Sequence, residues 1–395
     1  MRIALVSQEY PPHTAHGGIA TQTHAKAHGL SALGHQIYVI SHSTDTHRHD
    51  YSDRSVHVTR IPGFDAKLPL QTEPARWLTY SALVAAEVSA LDARVGLDLI
   101  DFPEWGGEGF IYLLNRTEWC GVPVVIHLHG PLVMLANTIG WPEKGSELFM
   151  IGTMMESTCL RLADAVISSS RCAANWCAER YGIDPGRIEV LHTGVDTVRF
   201  HPVARQTGGA PEIVFVGRVA ASKGVDTLVD AACRIAPEFP GLRVRLVGRA
   251  EPAFASTLNE RTRLAGFPDL LQFVGFVPAE HLMHELTRAH VFASPSRYEG
   301  GPGFVCLEAM ACGLAVVASS GSGVAEVVDH ERTGMLVPPD DLFALSDTLH
   351  RLLSDAPLRA RLGAAARQYV ETQANSRDCV RSFESFYARL AKVLE

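Results

Sequence analysis

Short runs of β-branched and other apolar residues alternate with longer stretches of helical periodicity along most of this chain. After one polar break the alternation starts again. A chain patterned this way builds βαβ units and parallel sheets. In the first half the strand candidates are 3–6, 36–40, 57–60, 99–101, 122–127, 165–168 and 188–190, with helical periodicity over 21–33 and 77–95. The segment QTGGAP at 206–211 interrupts the pattern. Strands then follow at 212–216, 243–247, 271–274, 291–293 and 315–318, and helices at 226–238, 253–265, 279–289 and 304–312. The 395 residues exceed what one hydrophobic core usually serves. The expectation is two similar α/β domains, 1–200 and 201–375, with a linker near 195–210. Helices around 342–353, 357–371 and 376–394 close the chain, and the last is long enough to cross back and pack on the first domain.

Composition excludes several classes. With 47% apolar and 20% charged residues the chain is an ordinary globular protein, and 35 basic against 43 acidic residues leave no nucleic-acid footprint. Eight cysteines, Cys120 among them, include no Cys-x-x-Cys pair, which points to reduced, buried thiols in a cytoplasmic protein. The opening MRIALVSQ reads as a strand and not as a signal peptide. No run reaches the roughly 18 apolar residues of a spanning helix. Peripheral contact with the inner face of a membrane stays open. His42, His47 and His49 cluster with Asp45 and Asp50 in a polar stretch whose spacing matches no ligand motif, so a solvated loop is expected there.

The residues that carry chemistry fall just after strands, where open α/β sheets bind ligands, and two such domains facing one another would frame an interdomain cleft. After the first strand, YPPHTAHGGI at 10–19 ends in Gly17 and Gly18, whose amides can meet a phosphate or an acceptor. After 122–127 comes His129, followed by Gly130, placed to bond a hydroxyl or stabilise charge. DFPEWGGE at 101–108 offers Glu104 and the aromatic Trp105 as an acceptor element. In the second half, IVFVGRVAASKGVDTLV at 213–229 sets Arg218 and Lys223 on a strand-to-helix turn, suited to a diphosphate without a metal. In PSRYEGGPGFVCLEAMACG at 295–313, Glu299 stands on a Gly/Pro loop and Glu308 on the helix that follows. Backbone amides between two carboxylates fit a ligand that is anionic at one end and rich in hydroxyls at the other, as a nucleotide sugar is.

On these motifs, with "VVIHLHG", "LHTGVDTVRFHP" at 191–202 and "VGFVPAEHL" at 274–282, the chain resembles the family 4 retaining glycosyltransferases over essentially its whole length. The resemblance implies a GT-B fold and transfer of a sugar from a nucleotide diphosphate donor, UDP first and GDP next, to a glycan, lipid-linked or small-molecule hydroxyl. It further implies that Arg218 and Lys223 hold the diphosphate, Glu308 the ribose, and Glu299 with the amides of Gly303, Phe304 and Val305 the sugar and phosphate. By the same token Phe276 and Val277 pack on the base, Gly18 contacts phosphate or acceptor, and His129 lies near the reacting centre. No metal and no further cofactor is expected.

The sequence departs from the family pattern in three places. Eight residues, not seven, separate Glu299 from Glu308. Thr193 replaces the usual Asn, and Gly248-Arg249-Ala250 replaces a Gly-x-Gly. The alternatives are a GT-B-like sugar-nucleotide epimerase, which needs extra acid and base carboxylates, and a binding module without catalysis. A dehydrogenase is disfavoured because neither half carries the dinucleotide glycine fingerprint.

Overall fold

The computed structural model describes residues 1–12, 14, 17–62, 72–117, 121–203 and 209–393. Cys120, His13, His16 and the first half of the QTGGAP break, 206–208, therefore lie outside the described residues. The chain forms two compact units, Met1–Thr193 together with the chain from Ser376 on, and Gly194–Asn375.

The first unit is wound around a sheet of β1 (Arg2–Val6), β2 (Gln36–His42), β3 (His49–Asp53), β4 (Val56–Ile61), β5 (Leu99–Pro103), β6 (Val124–Leu128), β7 (Ala165–Ser168) and β8 (Ile188–Val190). Its order is β3-β4-β2-β1-β5-β6-β7-β8. Every pair is parallel except β3 with β4. Strands β5 and β6 are buried from end to end, as parallel strands covered on both faces must be. The helices are α1 (Gly18–Ala32), α2 (Glu73–Val95), α3 (Phe110–Asn115), α4 (Leu132–Thr138), α5 (Glu147–Leu162) and α6 (Arg171–Tyr181). The expected loop at 42–50 is corrected in part: His49 opens a strand, β3, held at the sheet edge by antiparallel pairing with β4.

The second unit has β9 (Glu212–Val216), β10 (Arg243–Val247), β11 (Leu271–Gly275), β12 (Val291–Ser294), β13 (Ala315–Ser319) and β14 (Met335–Val337). All pair in parallel, in the order β11-β10-β9-β12-β13-β14. Around them lie α7 (Val225–Ile235), α8 (Pro252–Leu264), α9 (Ala279–Arg288), α10 (Phe304–Ala311), α11 (Leu342–Ser354) and α12 (Ala356–Gln373). The first unit ends at Thr193, ahead of position 200, for reasons of packing. Val195 N donates to Ala374 O (2.9 Å), Phe200 sits in the second unit's core, and Arg367 donates to Phe200 O (2.6 Å) and Thr197 O (3.1 Å).

The last helix, α13 (Ser376–Val393), returns to the first unit. Val380, Phe383, Phe386 and Tyr387 complete the core that β1, β2, β4 and α1 begin. The two helices approach closely at Gly29, where a Cβ would stand 2.5 Å from a Val380 methyl.

Candidate functional site

Both sheets reverse winding direction once, the first between β1 and β5 and the second between β9 and β12. At such a switch the loops leaving adjacent strand ends part to opposite faces and open a crevice. The helices that follow β1, β9 and β12 begin on glycines, Gly17, Gly224 and Gly303, without a side-chain cap, whereas α3, after β5, begins on Gly109 and gives its first-turn Ile111 N to the Ser81 hydroxyl at 2.9 Å. Helices α5, α6, α11 and α12 are instead capped by Ser146, Ser170, Asp341 and Asp355. A helix end without a side-chain acceptor keeps its first-turn amides for another partner.

In the second unit, Gly217 leaves β9 and Arg218 stands exposed. Lys223 turns back and donates to Glu299 Oε1 at 2.5 Å, each side chain about a fifth exposed. The loop after β12 is fixed by Arg297, whose backbone N donates to Ser222 O (3.0 Å) and whose guanidinium binds Asp226 (3.0 Å) and Asp340 (2.6 Å). Gly323 N holds Glu299 O (2.9 Å), and a Cβ on Gly323 would come within 2.5 Å of Gly301 O. The loop that carries Glu299 ends at Gly303. That residue, at φ +69°, starts α10, and Phe304 and Val305 form its first turn. Glu308 follows one turn later, half-buried. Burial pushes its carboxyl up to about 7, and Arg199 acts against that rise. Phe276 is exposed after β11 with the Arg249 guanidinium 5.5 Å from its ring centre, and Val277 beside it packs partly against the core.

In the first unit, Gly17 and Gly18 are exposed at the start of α1. Glu104 is wholly buried and accepts His129 N at 2.7 Å and Gly130 N at 2.5 Å on Oε1, while Oε2 has no partner. Burial raises its carboxyl to about 7 against the pull of those amides. The His129 imidazole is lowered to about 3, by burial first and Lys26 second, and is therefore neutral. Trp105 is no open platform. It lies between Trp77 (5.8 Å) and Trp141 (6.0 Å, stacked), and Trp141 is the exposed member.

Sequence reasoning missed the groups behind His129. Its ring stacks on His127 at 4.4 Å. His127 Nδ1 lies 3.2 Å from Lys26 Nζ, which donates to Asp101 Oδ2 at 2.6 Å, and Tyr387 of α13 donates to that same oxygen. Gln22 and Ser169 meet the other His127 nitrogen, both at 3.1 Å. Two further buried carboxylates, Glu108 and Glu156, were also missed. Glu108 accepts Gln8 N (3.2 Å), and Glu156 accepts Leu132 N (3.0 Å) and the Tyr181 hydroxyl (2.5 Å). The sequential distance between partners hid them, 100 positions for Gln8 and Glu108 and 24–25 for Glu156 with Leu132 and Tyr181.

Two Rossmann-like halves with strand-end sites of this composition define a GT-B glycosyltransferase. Residues 16–199 match the family model described as Glycosyltransferase Family 4, and residues 199–369 the model described as Glycosyl transferases group 1. The chain belongs to this family of glycosyltransferases. It is 28% identical to a glycogen synthase of Mycobacterium tuberculosis over 93% of this chain and 90% of that one. It is 30% identical to a D-inositol 3-phosphate glycosyltransferase of Kribbella flavida over 75% and 72%. Among solved structures, the sucrose-phosphate synthase of Thermosynechococcus elongatus superposes with a TM-score of 0.86 at 25% identity, covering 99% of both chains. An Anabaena protein in complex with UDP-glucose, 18% identical and covering 98% and 100%, shares the fold with a TM-score of 0.74.

Proposed function

We propose that the chain moves a sugar, with retention of anomeric configuration, from a nucleotide diphosphate donor to a hydroxyl of a glycan, lipid-linked or small-molecule acceptor. UDP is the first choice of nucleotide, which the UDP-glucose complex of the Anabaena neighbour supports, and GDP the next. The observation that carries the reading is the group around the β9/β12 switch: Arg218, the Lys223–Glu299 pair at 2.5 Å, and the uncapped start of α10. An anionic diphosphate draws Lys223 off the carboxylate, Arg218 adds a bidentate contact, and the amides of Phe304 and Val305 take a phosphate oxygen. Glu299, released, accepts hydroxyls of the sugar, and Glu308 those of the ribose. Two cationic side chains then neutralise the leaving group, and the transfer step itself needs no metal. Attack from the face the diphosphate leaves requires no protein nucleophile, so catalysis rests on positioning and electrostatics. Neutral His129 and the buried Glu104 that holds its backbone support an acceptor-side role, which we extend to Gly17, Gly18 and the Trp105–Trp141 stack of the same unit.

Charge-assisted contacts of this kind are each worth roughly 1.5–3 kcal/mol, so Lys223→Ala is expected to lose at least about tenfold in kcat/KM for nucleotide release with acceptor present. Its melting temperature should stay near that of the parent. In the parent, the correct nucleotide sugar raises the melting temperature by mass action, and UDP-sugars and GDP-sugars are compared directly. Unchanged turnover in Lys223→Ala overturns the diphosphate assignment.

A further inference from the structure

Helix α1 turns two pairs of side chains to opposite sides. Gln22 and Lys26, one turn apart, reach the buried His127 and Asp101. His24 and His28 are offset from them by two positions, about 200° around a helix of 3.6 residues per turn, and meet Asp53 at the end of β3. His28 Nε2 lies 2.9 Å from Asp53 Oδ2 and His24 Nε2 3.5 Å from it, and the three donor atoms all fall within 4.8 Å of one another. All three side chains are partly exposed, so an ion can reach them.

We propose that His24, His28 and Asp53 form a binding site for a divalent transition cation of the zinc type. Two histidines spaced i, i+4 on one helix face, joined by a carboxylate from another element, match the donor set that such cations take. A tetrahedral ion with bonds of about 2.0–2.1 Å to nitrogen and oxygen holds neighbouring donors about 3.3 Å apart, and the two Asp53 distances lie on either side of that value. Nitrogen donors select zinc, cobalt or nickel over magnesium and calcium, which prefer all-oxygen shells. The Tyr10 hydroxyl donates to the same Asp53 Oδ2 at 3.0 Å, stands 3.4 Å from His28 Nε2, and fixes that oxygen beside the histidines. Water completes the shell. The ion ties the outer face of α1 to the β3 edge strand, while Lys26 and Asp101 hold the inner face.

The test uses the full-length protein, stripped by chelation and titrated with Co²⁺ alone. One equivalent is expected to bind with the visible d–d bands of tetrahedral cobalt, to be displaced by Zn²⁺, and to raise the melting temperature. His28→Gln and Asp53→Asn should each weaken binding at least about tenfold, with folding checked by circular dichroism. His47→Gln with His49→Gln, at the exposed cluster around Asp45, should change nothing. Absence of the bands at stoichiometric Co²⁺ overturns the proposal, as does a band of full strength in the His24→Gln, His28→Gln double variant. None of the three residues is among those assigned to the donor, so stripped protein should still transfer sugar. If stripping abolishes transfer, the metal-free reading of the donor site falls and this one does not.

Discussion

Glu104 meets no solvent, receives two amides on one oxygen and leaves the other without a partner. Its carboxyl titrates near 7 in the fold against 4.5 for the free side chain. Between those values the folded chain keeps a proton that the unfolded chain has released. The stability this side chain allows is therefore present in full below about pH 4.5 and is lost as pH rises through about 7. The two values correspond to roughly 3 kcal/mol at most. Glu104→Gln keeps an oxygen for His129 N and Gly130 N and removes the charge, so it should raise the unfolding free energy at pH 8 and leave it nearly unchanged at pH 4.5. Denaturant titration at the two pH values checks this, and equal effects at both would refute the buried ionisation. Burial raises Glu108 and Glu156 as well, and the charge of Glu104 adds to both shifts, so the three carboxyls do not all ionise together.

Among the elements, the glycine-led helices α1, α7 and α10 frame the candidate site, and Gly224 shows why the glycine is needed. It sits at φ +66° before α7, and a Cβ there would stand 1.9 Å from Pro295 O. Gly224→Ala must strain the backbone and push the β12 loop away from Lys223, at a cost of about 2–5 kcal/mol. Gly321→Ala, at φ +72° with open space around its Cβ, should cost only about 1–2 kcal/mol. Thermal melts of the two variants separate strain from collision. The long apolar strands and the 295–313 motif were legible because each carries its own pattern. Strand β3 was not: its residues HDYSD are polar and mostly exposed, and the strand exists because β4 offers it an edge. Helices α3 and α4 were hidden for the opposite reason, since FIYLLN and LVMLANT are too short and too apolar for a two-sided pattern. Strand β14, three residues long, shows no period at all. The Tyr387–Asp101 bond spans 286 positions, which no local reading reaches.

For the whole molecule, the two units are unequal in how the chain supplies them. The second is one continuous segment with its own core, so a fragment covering 194–375 should fold cooperatively and retain nucleoside diphosphate binding. A fragment covering 1–193 lacks Val380, Phe383, Phe386 and Tyr387, and burying Lys26 and Asp101 loses its cover. It should stay loosely packed until a peptide of 376–395 is added. Near-ultraviolet circular dichroism of each fragment, with and without that peptide, is the measurement. A well-packed 1–193 alone would refute it.

The return of α13 also sets a timetable at the ribosome. The strands of the first unit are synthesised first, yet their core waits on residues made after the entire second unit. The later-made half can therefore finish folding before the earlier one. Through that interval the N-terminal sheet is the part of the nascent chain with an apolar face still uncovered, and the arrival of Phe383 and Tyr387 closes it.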